Sequence, residues 1–161
     1  MSIQPGDRIP SSQLTVAGEQ GPHPVDSTEL LGQGLVVLFA VPGAFTPTCS
    51  AQHLPSFLEH FEALQARGVD RIVCTAVNDI FVLGAWAKSS GAEKQIVMAA
   101  DGNGDFARAL GLELDGRAFG MGMRSQRYAM IIQDGVVKDV LVEGPGEYRV
   151  SSAEYVLERL P

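Results

Sequence analysis

The sequence predicts an α/β fold, a central mixed sheet flanked by helices with extra strands on its N-terminal side. Three observations carry this. Leu35-Val36-Val37-Leu38-Phe39-Ala40-Val41 is a short, wholly apolar, partly β-branched run ended by Pro42-Gly43, which suits a central strand buried on both faces. Similar runs then alternate with segments of helical periodicity. Towards the C-terminal end, Asp134-Gly135 separates two strand-like segments, the signature of a two-residue type I′ hairpin turn.

The first 34 residues are rich in Gly, Pro, Ser and Thr, and Gly21-Pro22-His23-Pro24 holds two prolines, so they read as turns and short strands. After the first buried strand, Leu54, Phe57, Leu58, Phe61 and Leu64 recur at three- and four-residue steps, as on one helix face. That helix should start near Thr46 to Thr48, whose hydroxyls can cap it, and end at Gly68. Pro55 lies inside the pattern, lacks an N–H, and should kink or split the helix. Residues 72–77 form a second buried strand, and Asn78-Asp79 offers a cap for a helix carrying Phe81, Val82, Ala85 and Trp86. Residues 96–100 form a third strand; Phe106, Ala109 and Leu110 suggest a short helix closed by Gly111. Residues 128–133 and 136–142 flank the Asp134-Gly135 turn, and Ser151 with Glu154 reads as a capping box for a last helix carrying Val156, Leu157 and Leu160. Alternating units imply parallel strands joined by right-handed crossovers, to which the hairpin adds antiparallel ones. This order resembles the thioredoxin-like arrangement.

Length and composition bound the function. At roughly 150 residues per domain, 161 residues predict one domain over residues 1–161. The 45% hydrophobic and 19% charged content suits a globular core. The longest apolar run is far short of the roughly 20 residues of a membrane span. A net charge of −7 argues against nucleic-acid binding. Met1-Ser2-Ile3-Gln4-Pro5-Gly6 has neither a basic nor an apolar leader region, so a cytoplasmic protein is the expectation. The two cysteines, Cys49 and Cys74, are 25 positions apart, which is neither a Cys-x-x-Cys pair nor a zinc-ribbon spacing.

Pro42-Gly43-Ala44-Phe45-Thr46-Pro47-Thr48-Cys49 joins the first buried strand to its helix. Ligand sites of open parallel sheets lie just beyond the carboxyl ends of strands. Cys49 falls in the first helical turn, where unpaired N–H groups and the positive dipole end stabilise a thiolate, the nucleophilic form. Thr46, three residues earlier, stands where a thiol-disulfide enzyme of this fold carries a first cysteine. Its hydroxyl cannot form a disulfide but can hydrogen-bond a thiolate or a bound oxygen. Pro42 can shield the site and fix the loop without adding a donor. The bland alternative makes Cys49 a buried helix-start residue and Thr46 a cap.

This loop, with Ser50 and His53-Leu54-Pro55, resembles the active-site loop of peroxiredoxins, in particular the peroxiredoxin-5 or type II subfamily. The likeness continues through Val77-Asn78-Asp79-Ile80-Phe81-Val82 with Ala85-Trp86, and through Arg124-Ser125-Gln126-Arg127-Tyr128-Ala129-Met130. The resemblance implies a thiol-dependent peroxidase with no bound cofactor, reducing hydrogen peroxide and alkyl hydroperoxides. Cys49 would attack the O–O bond and become a sulfenic acid. Thr46 would orient the peroxide and Pro42 would shield it. Arg127 would stabilise the thiolate and hold Thr46 and the peroxide, and the Cys49 backbone N–H would bind a peroxide oxygen. Spacing alone does not choose Arg127 over Arg124, which stays a second candidate. Phe45 and Phe119 are candidates for an apolar approach to the pocket, or ordinary core. The subfamily suggests a homodimer formed near the active site.

Cys74 lies mid-strand in an apolar run. It reads as a buried core thiol or as an intramolecular resolving cysteine. Many relatives carry a further cysteine near the C-terminus; residues 138–161 contain none. With a bland Cys74, resolution falls to an external thiol, glutathione with glutaredoxin ahead of thioredoxin. His53, four residues after Cys49, reads as a packing or hydrogen-bonding residue. With His23 and His60 it offers no metal-ligand spacing. Trp86 reads as a core or interface residue. Two other functions compete: a glutathione-dependent thiol transferase, which leaves Pro42 and Arg127 unexplained, and a redox sensor oxidised once without turnover.

Overall fold

The computed structural model describes residues 2–161; Met1, the first residue of the segment read for a leader, lies outside them. In chain order the elements are β1 (Gln13–Gly18), β2 (Gly21–Asp26), α1 (Ser27–Leu30), β3 (Leu35–Ala40), a π-helical turn (Cys49–His53), α2 (Leu54–Glu59), α3 (Phe61–Ala66), β4 (Arg71–Ala76) and α4 (Ile80–Ser90). There follow β5 (Val97–Ala100), α5 (Asp105–Leu110), β6 (Glu113–Asp115), a 3₁₀ turn (Arg117–Phe119), β7 (Met123–Ser125), β8 (Tyr128–Gln133), β9 (Val136–Val142) and α6 (Ala153–Arg159).

The main sheet has the order β2-β1-β5-β4-β3-β8-β9. Its β5, β4 and β3 are parallel, while β1 against β5, β8 against β3 and β9 against β8 are antiparallel. This is the expected mixed sheet with extra N-terminal strands. Alternate residues of β3 divide between two cores. Leu35, Val37 and Phe39 pack on one face, and Val36, Leu38 and Ala40 on the other. A strand with no polar face can sit only where both sides are covered.

The hairpin turn has φ 50° at Asp134 and φ 80° at Gly135, the positive pair a type I′ turn requires. Asp79 caps α4 by accepting the Val82 N–H at 2.8 Å, and Gly111 closes α5 with φ 73°. Four local expectations need correction. The first long helix breaks at His60 (φ −102°, ψ 14°), whereas Pro55 sits in the opening turn of α2, where no N–H is needed. The helix starts where expected, at Pro47 and Thr48, but the Thr46 and Thr48 hydroxyls do not cap it, and it runs on through the π-helical turn. The buried face of α4 is Ile80, Leu83, Trp86 and Ala87, while Phe81 is 73% exposed. Ser152, not Ser151, caps α6 by accepting the Tyr155 N–H, because the Ser151 hydroxyl is taken by Glu143. The small β6–β7 sheet and the short α1 left no readable pattern in the sequence.

Register places the site. Ala40 pairs with Tyr128 and Tyr128 with Val142. Arg127, one residue before β8, and Glu143, one after β9, therefore emerge beside the loop that leaves β3, and the Glu143 N–H donates to the Arg127 carbonyl at 3.0 Å.

Candidate active site

The loop after β3 delivers Cys49 to the first residue of the π-helical turn. Single π-type turns within α-helices are uncommon and collect at functional sites. The loop is held in a conformation it would not choose alone. Phe45 has φ 65°, which costs a residue with a Cβ about 1 kcal/mol. The Ala44 N–H donates to Asn78 Oδ1 at 3.0 Å, and the Thr46 hydroxyl donates to the Gly43 carbonyl at 2.5 Å. Thr46 therefore does not donate to the sulfur. Its oxygen keeps lone pairs that can accept a hydrogen bond from a bound ligand.

The Cys49 Sγ is fully buried and accepts a hydrogen bond from Arg127 Nη2 at 3.0 Å. The same guanidinium donates through Nη1 to His53 Nδ1 at 2.8 Å. His53 Nε2 lies 2.9 Å from the Ser151 carbonyl. A carbonyl only accepts, so Nε2 carries the proton and Nδ1 offers a lone pair to Arg127. Burial, assisted by the Arg127 charge, pushes the His53 pKa down to about 3, so the ring stays neutral and remains an acceptor. One planar cation is thus held by a buried imidazole and aimed at a buried sulfur, a fork that a lysine cannot reproduce.

Packing fixes the same groups. The Phe39 and Phe57 rings stack with centroids 4.1 Å apart, tying the turn and α2 to β3. The Tyr148 ring meets His53 edge-on at 5.3 Å, and its hydroxyl donates to the Gln52 carbonyl at 3.2 Å. Trp86, buried in α4, donates through Nε1 to Ser50 Oγ at 3.0 Å.

Arg124 is not at the sulfur. Its Nε donates to the Met121 carbonyl at 2.9 Å, and its guanidinium packs on Gly43, where an added Cβ would lie 3.3 Å from Nη1. The choice between the two arginines follows from register: Arg127 immediately precedes β8, which pairs with β3, and Arg124 belongs to β7. A cleft of about 330 Å³ adjoins the site, lined by Pro42, Thr48 and Arg127 together with Glu113, Asp115 and Gln126 and the 143–147 loop. Phe45 (55% exposed) and Phe119 (83% exposed) do not line it, and their exposure rules out the ordinary-core alternative for both.

Cys74 is fully buried in mid-β4, opposite Phe39 and Met98. Burial, and then the nearby Cys49 sulfur, push its thiol up. Both cysteines are free thiols. No cluster of three or more His, Cys, Asp or Glu able to hold a metal occurs among the described residues. Tyr148, Ser151 and Glu143 were not visible as site residues in the sequence. They follow the hairpin with no periodicity; the sheet register brings Glu143 to Arg127, and the segment Glu143 holds brings Tyr148 and Ser151 to His53.

The chain matches the Redoxin family over residues 4–157. It is 43% identical over 159 residues to Peroxiredoxin-2B of Arabidopsis thaliana, covering 98% of each chain. Reduced Prx3 of Vibrio vulnificus, solved in complex with hydrogen peroxide, superposes with a TM-score of 0.95 at 47% identity, with 99% of each chain covered. The Plasmodium falciparum antioxidant protein, a 1-Cys peroxiredoxin, superposes at 0.92 with 29% identity and 98% of each chain covered. With a buried thiol, an arginine fork and this kinship along nearly its whole length, the chain belongs to the peroxiredoxins, thiol-dependent peroxidases on a thioredoxin-like fold.

Proposed function

We propose that Cys49 reduces hydrogen peroxide and alkyl hydroperoxides, and that its sulfenic acid is resolved by an external thiol. The observation that carries this is the Arg127 guanidinium bonded at once to the Cys49 Sγ and the His53 Nδ1. The thiolate attacks the terminal peroxide oxygen. An S–O bond forms, the O–O bond breaks, sulfur is oxidised, and the leaving oxygen takes a proton to become water or an alcohol. Charge moves from sulfur to that oxygen. Donors fixed in advance, the Arg127 fork and the Cys49 backbone N–H, stabilise it there without reorganising. Thr46 Oγ1 accepts the proton-bearing end of the peroxide, and Pro42 excludes water.

A central-strand position and full burial favour the core reading of Cys74. Glutathione, with glutaredoxin, then forms a mixed disulfide with Cys49 and a second thiol releases it; thioredoxin is the alternative reductant. Two free thiols fit a reducing compartment, and a cytoplasmic location is part of the same proposal. The exposed Phe45, Phe81, Phe119 and Met123 support a homodimer formed beside the active-site loop.

Hydroperoxide consumption with glutathione and glutaredoxin, and separately with a thioredoxin system, tests the proposal on the native protein, Cys49→Ser and Cys74→Ala. Turnover is expected for the native protein and Cys74→Ala and not for Cys49→Ser. Loss of turnover in a folded Cys74→Ala protein that still undergoes its first oxidation would make Cys74 the resolving residue.

A further inference from the structure

We infer that Glu143 is a positioning residue for the peroxidase reaction, aiming the Arg127 guanidinium at Cys49 from three bonds away. The inference rests on the reading of Arg127 and Cys49 just given.

Glu143 follows β9 and is 7% exposed. A buried carboxylate is costly unless its charge is fully hydrogen-bonded, and this one is. The backbone N–H groups of Arg149, Val150 and Ser151 all donate to it at 2.8 Å, and the Ser151 hydroxyl at 2.7 Å. Burial works against its charged form, yet these donors outweigh it and hold the pKa below the usual range. Charge-assisted bonds of this kind are the stronger sort. One side chain thereby fixes three consecutive residues of an otherwise irregular segment.

That segment ends in the atom the site depends on. The Ser151 carbonyl accepts from His53 Nε2, which sets the tautomer; His53 Nδ1 then accepts from Arg127, and Arg127 donates to Cys49. The Glu143 N–H also grips the Arg127 carbonyl. Arg127 is thus held at its backbone and, through two intermediaries, at its side chain by one residue that does not touch the sulfur. Tyr148, in the same segment, closes over His53. Without the carboxylate, three N–H groups lose their acceptor, the Ser151 carbonyl is free to drift, and the imidazole lone pair no longer points at Arg127.

The test is a double-mutant cycle between Glu143 and His53, read as the second-order rate constant for hydrogen peroxide and its pH profile. Glu143→Ala is expected to lower the rate roughly tenfold, the scale on which outer partners of a reactive group act, and to move the profile to higher pH. Glu143→Gln, which keeps one acceptor oxygen, should fall between and serves where the alanine variant does not fold. In a His53→Ala background either change should add less than about twofold, because the connection is already cut. Asp70→Ala removes an exposed carboxylate that also holds backbone, accepting the Leu35 N–H at the far end of β3. It should lower stability without moving the pH profile. A folded Glu143 variant with native rate and profile would overturn the inference, as would full multiplication of the two effects. An inactive native protein would instead overturn the reading of Cys49 and Arg127.

Discussion

His53 is the hinge of the site, and its protonation state can be read from stability. In an unfolded chain its pKa lies near about 6.5; in the fold, burial and the Arg127 charge hold it at about 3. Below pH 6.5 the unfolded state takes up a proton that the native state refuses. The stability is therefore fully present above about pH 6.5 and is lost as the pH falls towards about 3. Between pH 7 and pH 5 the loss from this one group is about 2 kcal/mol, from the unfolded protonation alone. It depends little on the native value so long as that stays under about 4. Urea unfolding of the native protein and of His53→Gln at both pH values isolates the effect, since every other titrating group is common to both. The native protein should lose about 2 kcal/mol more than the variant over this span. Parallel losses would mean that His53 takes up its proton in the folded state. The ring would then be no acceptor for Arg127, and the geometry argued for the sulfur would fail.

Three further outcomes follow from the same contacts. Arg127→Lys keeps the charge but not the fork, so it cannot bond Cys49 and His53 together; the rate constant for peroxide should fall by about 10- to 100-fold, the worth of one charge-assisted hydrogen bond. Thr46→Ser should retain most activity and Thr46→Val should lose at least about tenfold, measured by stopped-flow with hydrogen peroxide, because only the former keeps an oxygen anchored to the Gly43 carbonyl. Trp86 is the one tryptophan and its indole N–H is bonded to Ser50, next to Cys49. Its emission should change when the Cys49 turn opens to form a glutathione adduct, and should stay constant in Cys49→Ser under the same treatment.

Much of the fold was legible because its signals are local. The apolar run of β3, the Asp134-Gly135 turn and the Asp79 cap each state their structure within a few residues. The helix after Cys49 was readable as a helix, but its break was not. Proline looked like the breaker, yet Pro55 sits where its missing N–H is harmless, and the chain bends at His60 instead. The loop with Pro42, Thr46 and Cys49 was legible from its place at a strand end. The support around it was not. His53 could be recognised as a hydrogen-bonding residue, but its partners Arg127 and Ser151 lie 74 and 98 residues away. The pairing of β3 with β8 and β8 with β9 brings Arg127 to it, and the segment Glu143 holds brings Ser151; no sequence period encodes that register. Ser151 illustrates the competition: it has the spacing of a capping residue, but a buried carboxylate claims its hydroxyl and the cap moves to Ser152.

The most direct measurement is the intact mass and free-thiol count of the native protein after one equivalent of hydrogen peroxide, first alone and then with glutathione. Cys49 should gain one oxygen, that oxygen should be replaced by a single glutathione, and Cys74 should remain a free thiol throughout. A Cys49 that stays reduced, or a loss of two hydrogens with both thiols consumed, would contradict this reading.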